Sequence, residues 1–314
     1  MIVSPAPAGS TQGNRVTAER WARILEELGC DVRITGSYEG EDCDLLVALH
    51  ARRSRSSVER FAREHPGRPV VLALTGTDLY DDIHEDAASR ESLELARRLI
   101  VLQELGTREV PEKLRDRVRV IHQSVDDVPT DVAPRDEIFE VCVASHLRPV
   151  KDPLRAARAA RLLPASSRVH VTHVGAVLHE DLRQAAEEEA AGNPRYTWVG
   201  PVSRDVALRT IARSRLLVVS SRLEGGANVV SEAIAASVPV LSSRISGSVG
   251  ILGEDYPGYF PVGDTQALAR LLERVETEPE FLADLGSRCA SLRPLFEPAR
   301  ERQRWAELLA ELTA

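Results

Sequence analysis

The chain has 314 residues, of which 43% are hydrophobic and 28% charged, and it carries a formal net charge of −8 at pH 7. That length suffices for two domains with separate cores, while the acidic balance argues against nucleic acid or an anionic membrane surface as a partner. Because no apolar run approaches the ~20 residues of a membrane span and the N-terminus lacks a signal-peptide pattern, we expect a cytoplasmic protein without a membrane partner.

Short apolar runs alternate with helix-length segments through the first half of the chain. We predict strands at residues 1–3, 31–34, 45–49, 70–74, 99–102 and 118–121, and a helix from about Thr17 to Leu28 that ends at Gly29. Parallel strands need such crossover segments and are buried on both faces. The alternation therefore predicts an α/β unit with a doubly wound parallel sheet.

A polar stretch at residues 126–136 has the composition of a linker, and the same alternation resumes after it. We therefore predict two doubly wound, Rossmann-like domains facing across a cleft, an N-terminal domain at 1–134 and a C-terminal domain at 135–295. Residues 296–314 form a last helix with an apolar stripe of Trp305, Leu308, Leu309 and Leu312. Ligands of such sheets lie beyond the carboxyl ends of the strands, so functional residues are expected in the loops that follow them.

Small hydroxyl, amide and basic groups follow several predicted strands of the first half. Ser10, Thr11, Gly13, Asn14 and Arg15 lie in the first loop, His50, Arg52 and Arg53 in the third, and Thr75, Gly76 and Asp78 after residues 70–74. Each residue alone is more often a cap, a turn residue or a solvated charge, but together such groups suit a small oxyanion. We predict that Gly13, Asn14, Arg15, His50, Arg52, Thr75, Gly76 and Asp78 bind the acceptor substrate.

The most informative segment is Glu224-Gly225-Gly226-Ala227-Asn228-Val229-Val230-Ser231-Glu232, which follows the apolar run at 216–219. Two glycines let backbone N–H groups approach a ligand where the helix that Gly226 begins offers unpaired donors, a place that suits phosphate oxygens. Glu232 would lie about two turns along that helix and accept hydrogen bonds from ribose hydroxyls, while Glu224 would do the same for a sugar. The segment predicts a nucleotide-sugar site.

Two glutamates at this spacing, between a strand and a helix, resemble the signature of retaining GT-B glycosyltransferases, above all the large family 4. Residues 142–153 resemble that family's strand and phosphate loop, in which a basic residue and a lysine five positions later contact the donor diphosphate. His146 and Lys151 occupy those two places. Residues 196–202, which include Gly200, resemble the strand and turn that receive the nucleotide base, and residues 258–264 resemble those that follow the donor site. The resemblance covers the second half of the chain.

This resemblance implies a GT-B fold whose last helix crosses back to the first domain. It implies that Glu224, Lys151 and Arg148 take part in catalysis and that His146, Gly200, Gly225, Gly226, Ala227, Asn228 and Glu232 bind the donor. Because His146 stands where the family usually has arginine, Arg148 would supply the forked guanidinium that histidine lacks. Lys151 is one of only two lysines in the chain. On its own, it would be interpreted as a solvated residue at a helix start.

Many family members carry a histidine before the glycine of a strand-end loop in the first domain, where this chain has Thr75 before Gly76. A hydroxyl acceptor needs a base, so the missing histidine indicates a nucleophile that is already anionic or highly polarizable. Residues 14–22, 48–54, 74–80, 146–148, 224–228 and 252–259 resemble the selenosugar synthases of selenoneine biosynthesis. That resemblance implies transfer of a sugar from a UDP-sugar, UDP-N-acetylglucosamine or UDP-glucose, to the selenium of selenophosphate.

Three other functions stay open at this point: a family 4 transferase with an ordinary hydroxyl acceptor, a GT-B nucleotide-sugar epimerase, and a catalytically silent module that binds a UDP-sugar. No metal or other cofactor is expected. Cys30, Cys43, Cys142 and Cys289 are scattered without metal-ligand spacing and are interpreted as free, mostly buried thiols. His170 and His173 are three apart in a predicted strand, which places them on opposite faces. The sequence leaves the preferred sugar, the anomeric outcome and the oligomeric state undetermined.

Overall fold

The computed structural model describes residues 1–10, 12–126 and 128–313. Thr11, predicted in the first loop, the linker residue Asp127 and the terminal Ala314 lie outside the described residues. The chain divides into two compact units. The first comprises Met1–Ser124, Glu224–Gly226 and Glu297–Ala314, and the second comprises Val125–Leu223 and Ala227–Phe296.

A six-stranded parallel sheet organises the first unit, with strand order β2-β1-β3-β4-β5-β6. Its strands are β1 (Ile2–Val3), β2 (Ile34–Thr35), β3 (Leu46–Leu49), β4 (Val70–Leu74), β5 (Arg98–Val101) and β6 (Val118–Val120). Its helices are α1 (Gly13–Glu27), α2 (Arg55–Glu64), α3 (Ile83–Glu85), α4 (Ala87–Leu95) and α5 (Gly106–Glu109), together with the last helix of the chain, α13 (Pro298–Thr313). A π-helical turn at Asp78–Asp82 precedes α3, and a 3-10 turn at Glu112–Arg117 precedes β6.

Both faces of this sheet are covered, as a parallel sheet requires. Side chains alternate along a strand, so β3 directs Leu46 and Ala48 into one buried cluster with Phe61. Val47 and Leu49 enter the opposite cluster, together with the side chains of α1 and α13. The continuous apolar runs of the sequence therefore reflect burial on two sides.

Glu301 fastens α13 within the first unit. Its carboxylate is buried and accepts hydrogen bonds from Trp21 Nε1 at 2.7 Å, from the Ser124 N–H at 2.8 Å and from Ser124 Oγ at 2.5 Å. Trp21 also packs edge-to-face on Trp305 of α13, with ring centroids 4.9 Å apart. The apolar stripe predicted for the last helix thus buries Trp305 and Leu308 in this core.

We expect Glu301→Ala to lower the free energy of unfolding by about 2–4 kcal/mol, because it leaves the buried donors of Trp21 and Ser124 without their acceptor. Urea denaturation followed by circular dichroism measures the loss. Glu307→Ala, on the same helix but exposed and paired with Arg304, is the matched control and should change the value by less than about 0.5 kcal/mol. A loss for Glu301→Ala as small as that of the control would contradict the expectation.

The second unit contains another six-stranded parallel sheet, ordered β12-β11-β10-β7-β8-β9. Its strands are β7 (Phe139–Ala144), β8 (Val169–Val174), β9 (Tyr196–Gly200), β10 (Leu216–Val219), β11 (Val240–Ser243) and β12 (Tyr259–Phe260). Its helices are α6 (Arg155–Ala160), α7 (Glu180–Gly192), α8 (Arg204–Arg213), α9 (Asn228–Ala235), α10 (Ser246–Leu252), α11 (Thr265–Thr277) and α12 (Pro279–Leu292), with 3-10 turns at Pro149–Lys151 and Arg293–Phe296. Read from β9, this is the Rossmann order, in which the first strand of the unit lies beside the fourth.

The predicted α/β class, with two doubly wound parallel sheets, is confirmed. Two predicted helix starts were wrong. The first helix begins at Gly13 rather than Thr17, so its start lies within the segment interpreted as a loop, and the helix after β10 begins at Asn228 rather than Gly226. In neither case does the N-cap side chain make a capping hydrogen bond, so the usual sequence signal of a helix start is missing.

Candidate active site

The strand order of each unit locates a candidate ligand site. In the second unit the order reverses between β7 and β10, and in the first unit it reverses between β1 and β3. Ligands of open α/β sheets bind beyond the carboxyl ends of the two strands at such a point. The predicted donor residues 146–151 follow β7, and the predicted acceptor residues His50 and Arg52 follow β3.

The loop after β7, which contains Lys151, is tied to the end of β10. Ser220 Oγ donates to the carbonyl oxygens of Lys151 at 3.3 Å and Asp152 at 2.8 Å, and the Arg222 N–H donates to the Val150 carbonyl at 2.8 Å. Asp152 has a left-handed φ of +43°, and its carboxylate pairs with Arg155 at 2.8 Å. Lys151 therefore stands on a 3-10 turn whose backbone is fixed from the neighbouring strand.

Arg222 is a basic residue at this loop that the sequence analysis did not single out. Its side chain is more than half exposed and lies 4.0 Å from the Asp152 carboxylate. Its position three residues after β10, beside the point where the strand order of the sheet reverses, is the sequence signal that would have identified Arg222.

His146, Arg148 and the backbone between them form the first part of the same loop. His146 Nδ1 accepts a hydrogen bond from the Ala176 N–H at 3.1 Å, so in the neutral ring the proton is on Nε2. Arg148 is half-buried, and its carbonyl accepts from the Lys151 N–H at 3.0 Å. His146, Arg148 and Lys151 thus share one short segment at the carboxyl end of β7.

His173 and Gly175 position this segment, a role that the sequence analysis missed. His173 Nε2 lies 2.9 Å from the Ser145 carbonyl oxygen and its Nδ1 lies 2.8 Å from Tyr196 Oη. Burial lowers the pKa of His173 to about 4, so the ring is neutral at pH 7. A side chain on Gly175 would collide with the same Ser145 carbonyl. The backbone ahead of His146 is therefore held by a buried imidazole and by close backbone packing.

Glu232 lies in α9, about one turn after its start at Asn228, because the helix begins later than predicted. The Glu232 side chain is 10% exposed, and its Oε1 lies 3.2 Å from Arg204 Nη1. Asn228 Oδ1 is buried and has no hydrogen-bond partner among the described residues. Ala227, the N-cap of α9, is buried.

Gly200, predicted to lie in the turn that receives the nucleotide base, ends β9 with a φ of +86°. Its carbonyl accepts a hydrogen bond from the Gly175 N–H at 2.9 Å.

Glu224, Gly225 and Gly226 belong to the first unit rather than the second. A Cβ on Gly225 would lie 2.6 Å from both C and O of Thr75, and a Cβ on Gly226 would lie 2.5 Å from Leu102 Cβ. From the sequence, these glycines were predicted to let a ligand approach the backbone. The structure adds a packing reason, because protein atoms occupy the space a side chain would need.

The Glu224 carboxylate contributes to the electrostatics around Tyr80 in the same unit. Burial, and then the nearby carboxylate of Glu109, raise the pKa of Tyr80, and Glu224 adds a smaller contribution in the same direction. Tyr80 Oη accepts a hydrogen bond from Gln103 Nε2 at 2.9 Å. Glu224 and Tyr80 are both half-buried.

Asp78 ties together two of the predicted acceptor loops. It is fully buried, and its Oδ2 accepts from the Ala51 N–H at 3.0 Å while its Oδ1 accepts from the Gly76 N–H at 2.8 Å. Thr75 Oγ1, in the second of these loops, is buried and lacks a hydrogen-bond partner in the described part of the chain. The structure thus makes Asp78 the support of the loops that carry His50 and Thr75.

His50 is a buried histidine with a left-handed φ of +74°. Its Nδ1 lies 4.0 Å from Asp78 Oδ2 and its Nε2 lies 3.9 Å from Asp82 Oδ2. Arg52 is 64% exposed and pairs with Asp82 at 3.2 Å. A non-glycine residue with positive φ is uncommon and is found at strained functional sites. The loop after β3 therefore presents an imidazole flanked by two carboxylates, which the sequence analysis had not recognised as a base.

Gly13, Asn14 and Arg15, predicted as loop residues, instead form the first turn of α1. The Asn14 carbonyl accepts from Ser4 Oγ at 3.3 Å, and Arg15 Nε lies 2.6 Å from Glu19 Oε1. The Arg15 side chain is largely buried. These residues follow β1, which is the other strand at the reversal of the first sheet.

Within the described ranges, no three His, Cys, Asp or Glu side chains are grouped closely enough to hold a metal ion. Cys142 and Cys289 are buried and Cys30 and Cys43 are partly exposed, all four as free thiols. None of the described helices is both long and apolar enough to cross a membrane.

Solved structures with the same fold include glycosyltransferases. Anabaena Alr3699/HepE in complex with UDP superposes with a TM-score of 0.74 at 18% identity, covering 93% of this chain and 89% of that one. The same protein in complex with UDP-glucose gives a TM-score of 0.70 at 18% identity, with 85% and 79% coverage. Sucrose-phosphate synthase (tll1590) from Thermosynechococcus elongatus gives 0.68 at 16% identity, with 99% and 82% coverage. The predicted GT-B class is confirmed.

No curated protein sequence matches the chain. A family model does match it: residues 127–290 fit the model described as glycosyl transferases group 1. That match spans more than half of the chain and includes β7 to β12, the 3-10 turn that carries Lys151 and the helix α9 that carries Glu232. The chain therefore belongs to the glycosyl transferases group 1 family and is a glycosyltransferase.

Proposed function

We propose that this glycosyltransferase moves a sugar from a UDP-sugar, UDP-N-acetylglucosamine or UDP-glucose, to the selenium of selenophosphate. The main support for a UDP-sugar donor is the loop at the carboxyl end of β7. Lys151, Arg148 and His146 lie on this loop, and its backbone is held by hydrogen bonds to Ser220 and His173. The charged side chains of Lys151 and Arg148, carried on a fixed backbone where the strand order reverses, suit a diphosphate. The UDP and UDP-glucose complexes of the Anabaena structure support the choice of donor.

In the proposed reaction the donor's C1–O bond breaks and UDP leaves with its negative charge. Lys151 and Arg148 stabilise that charge as it develops, which is where preorganised cations lower a barrier most. Glu232 accepts hydrogen bonds from the ribose and Glu224 from the sugar hydroxyls. The backbone of Gly225 and Gly226 would add N–H donors to the diphosphate.

The selenium of selenophosphate forms the new bond to C1, and water then takes the phosphate from selenium to leave the selenosugar. We propose that Asn14, Arg15, His50 and Thr75 hold the acceptor's phosphate. The Thr75 hydroxyl, which has no hydrogen-bond partner among the described residues, and the largely buried Arg15 side chain support this assignment. Because selenophosphate arrives as an anion with a soft nucleophilic atom, the site needs positioning and charge neutralisation more than proton removal. A cytoplasmic location stays a prediction.

The test is mass spectrometry of the purified protein incubated with UDP-N-acetylglucosamine and fresh selenophosphate. The expected product shows a selenium isotope pattern on a hexosamine mass, appears only with both substrates, and is accompanied by released UDP. UDP-sugar binding without that product, with UDP-glucose tried as well, would overturn the selenium acceptor and leave a glycosyltransferase with another acceptor.

Arg15→Ala should raise the apparent KM for selenophosphate by about tenfold or more and leave the KM for the UDP-sugar nearly unchanged, because it removes one charge-assisted contact to the phosphate. Steady-state kinetics with each substrate varied in turn measures both constants. Arg23→Ala, on an exposed turn of the same helix, is the matched control. Unaltered saturation by selenophosphate in Arg15→Ala would show that the acceptor assignment is wrong.

The second candidate is a transferase that acts on an ordinary hydroxyl. The observation that favours it is His50, whose ring nitrogens each lie within about 4 Å of a carboxylate, of Asp78 or Asp82. A hydroxyl acceptor would need that imidazole as a base, so His50→Gln would lower kcat by about 10²–10⁴. With selenophosphate as the true acceptor, the same variant would change mainly the acceptor's KM.

A further inference from the structure

Arg204 is a charged residue of the second unit that the proposed reaction does not yet use. It is the first residue of α8, and its Nη1 lies 3.2 Å from Glu232 Oε1 in α9. The Arg204 side chain is 37% exposed, whereas that of Glu232 is 10% exposed. The pair therefore joins a nearly buried carboxylate to a guanidinium that still reaches solvent.

The backbone that presents Arg204 is well defined. Gly200 ends β9 with a positive φ, and Ser203 then caps α8, its Oγ accepting from the Val206 N–H at 3.3 Å. A capped helix start restricts where the side chain of its first residue can reach. The guanidinium is thus directed at Glu232 by the turn after the strand that was predicted to receive the nucleotide base.

We infer that Arg204 is a positioning residue that holds the Glu232 carboxylate for the donor's ribose and thereby makes the site selective for ribonucleotides. This inference rests on the proposed function, in which Glu232 accepts hydrogen bonds from the ribose. Because Arg204 holds one oxygen of the Glu232 carboxylate, the carboxylate has a fixed orientation. The two neighbouring hydroxyls of a ribose can then donate to it in only one geometry. A site built to hydrogen-bond a substrate hydroxyl rejects the analogue that lacks that hydroxyl, so a donor without the 2′-hydroxyl should bind less tightly.

Isothermal titration calorimetry with UDP and 2′-deoxy-UDP tests this, on wild type, Arg204→Met, Arg204→Lys and Arg209→Met. Wild type should bind UDP about tenfold or more tightly than 2′-deoxy-UDP. Arg204→Met should lose that preference by weakening UDP alone, and Arg204→Lys, which keeps the charge, should retain part of it. Arg209, on the same helix and paired with Asp131 and Asp205, is the matched control, and its variant should retain the whole preference.

The outcomes separate the inference from the proposed function. A wild type that binds neither nucleotide overturns the proposed function, and the inference falls with it. A wild type that prefers UDP, with Arg204→Met keeping the same preference, overturns the inference and leaves the proposed function standing. Equal weakening of both nucleotides in Arg204→Met shows a merely structural role and likewise overturns the inference.

Discussion

Gly225→Ala is expected to lower kcat/KM at least 100-fold, the scale of loss that a displacement of about 1 Å causes in a catalytic site. The added Cβ would lie 2.6 Å from two backbone atoms of Thr75 and 2.8 Å from the backbone nitrogen of Gly76. Backbone cannot rotate away as a side chain can, so either the Thr75 loop or Glu224 must move. Steady-state kinetics, with circular dichroism to verify folding, measures the effect.

The matched control is Gly36→Ala in the same unit, where a Cβ would meet nothing within 4 Å and φ is not positive. That variant should retain nearly full activity. Activity of Gly225→Ala close to that of Gly36→Ala would contradict the close packing of Glu224–Gly226 against the Thr75 loop.

Gly226→Ala should also impair activity, but its collision is with a side chain, since the new Cβ would lie 2.5 Å from Leu102 Cβ. Leu102→Gly removes that atom, whereas Leu102→Ala does not. In a double-mutant cycle, Leu102→Gly should therefore cost less in the Gly226→Ala background than in wild type, and Leu102→Ala should give little coupling. Coupling of the same size for both Leu102 variants would show that the contact with Leu102 Cβ does not cause the loss of activity in Gly226→Ala.

Acidification is expected to destabilise the protein between pH 6.5 and pH 4. Burial lowers the pKa of His173 to about 4, and burial together with Arg300 and Arg304 lowers that of His122 to about 4. The unfolded chain, with histidine pKa values near 6.5, takes up these protons first as the pH falls. By pH 4 each histidine therefore lowers the free energy of unfolding by about 3 kcal/mol. Below pH 4 the folded state binds the protons too, and the histidine contribution no longer changes.

Urea denaturation at pH 7, 6, 5 and 4.5 measures this slope. His173→Gln removes one titrating group, so its free energy of unfolding should be lower at pH 7 but fall less steeply with acid. His84→Gln replaces an exposed histidine that lies 3.5 Å from Glu109 and should follow the wild-type slope. A slope for His173→Gln as steep as that of wild type would rule out the buried His173 as a source of the acid sensitivity.

Several elements were predictable from the sequence because their signals are local. The strands β4 and β10 lie at the predicted residues 70–74 and 216–219, since continuous apolar runs bounded by polar turns leave little choice for a parallel strand. Gly29 was predicted to end the first helix, and it follows the end of α1 with a left-handed φ of +87°, which glycine adopts readily. The starts of α1 and α9 were misplaced because neither has a side-chain cap to mark it.

The sequence by itself therefore determined the α/β class, the two doubly wound sheets and the family signature of the proposed donor site, because hydrophobic period and motif spacing are properties of neighbouring residues. Only the tertiary structure decided what individual site residues do. Gly225 packs on Thr75, Asp78 accepts a hydrogen bond from the Ala51 N–H, and Arg204 pairs with Glu232. The residues of each pair are distant in the chain and are brought together by the fold, so no local sequence pattern predicts these contacts.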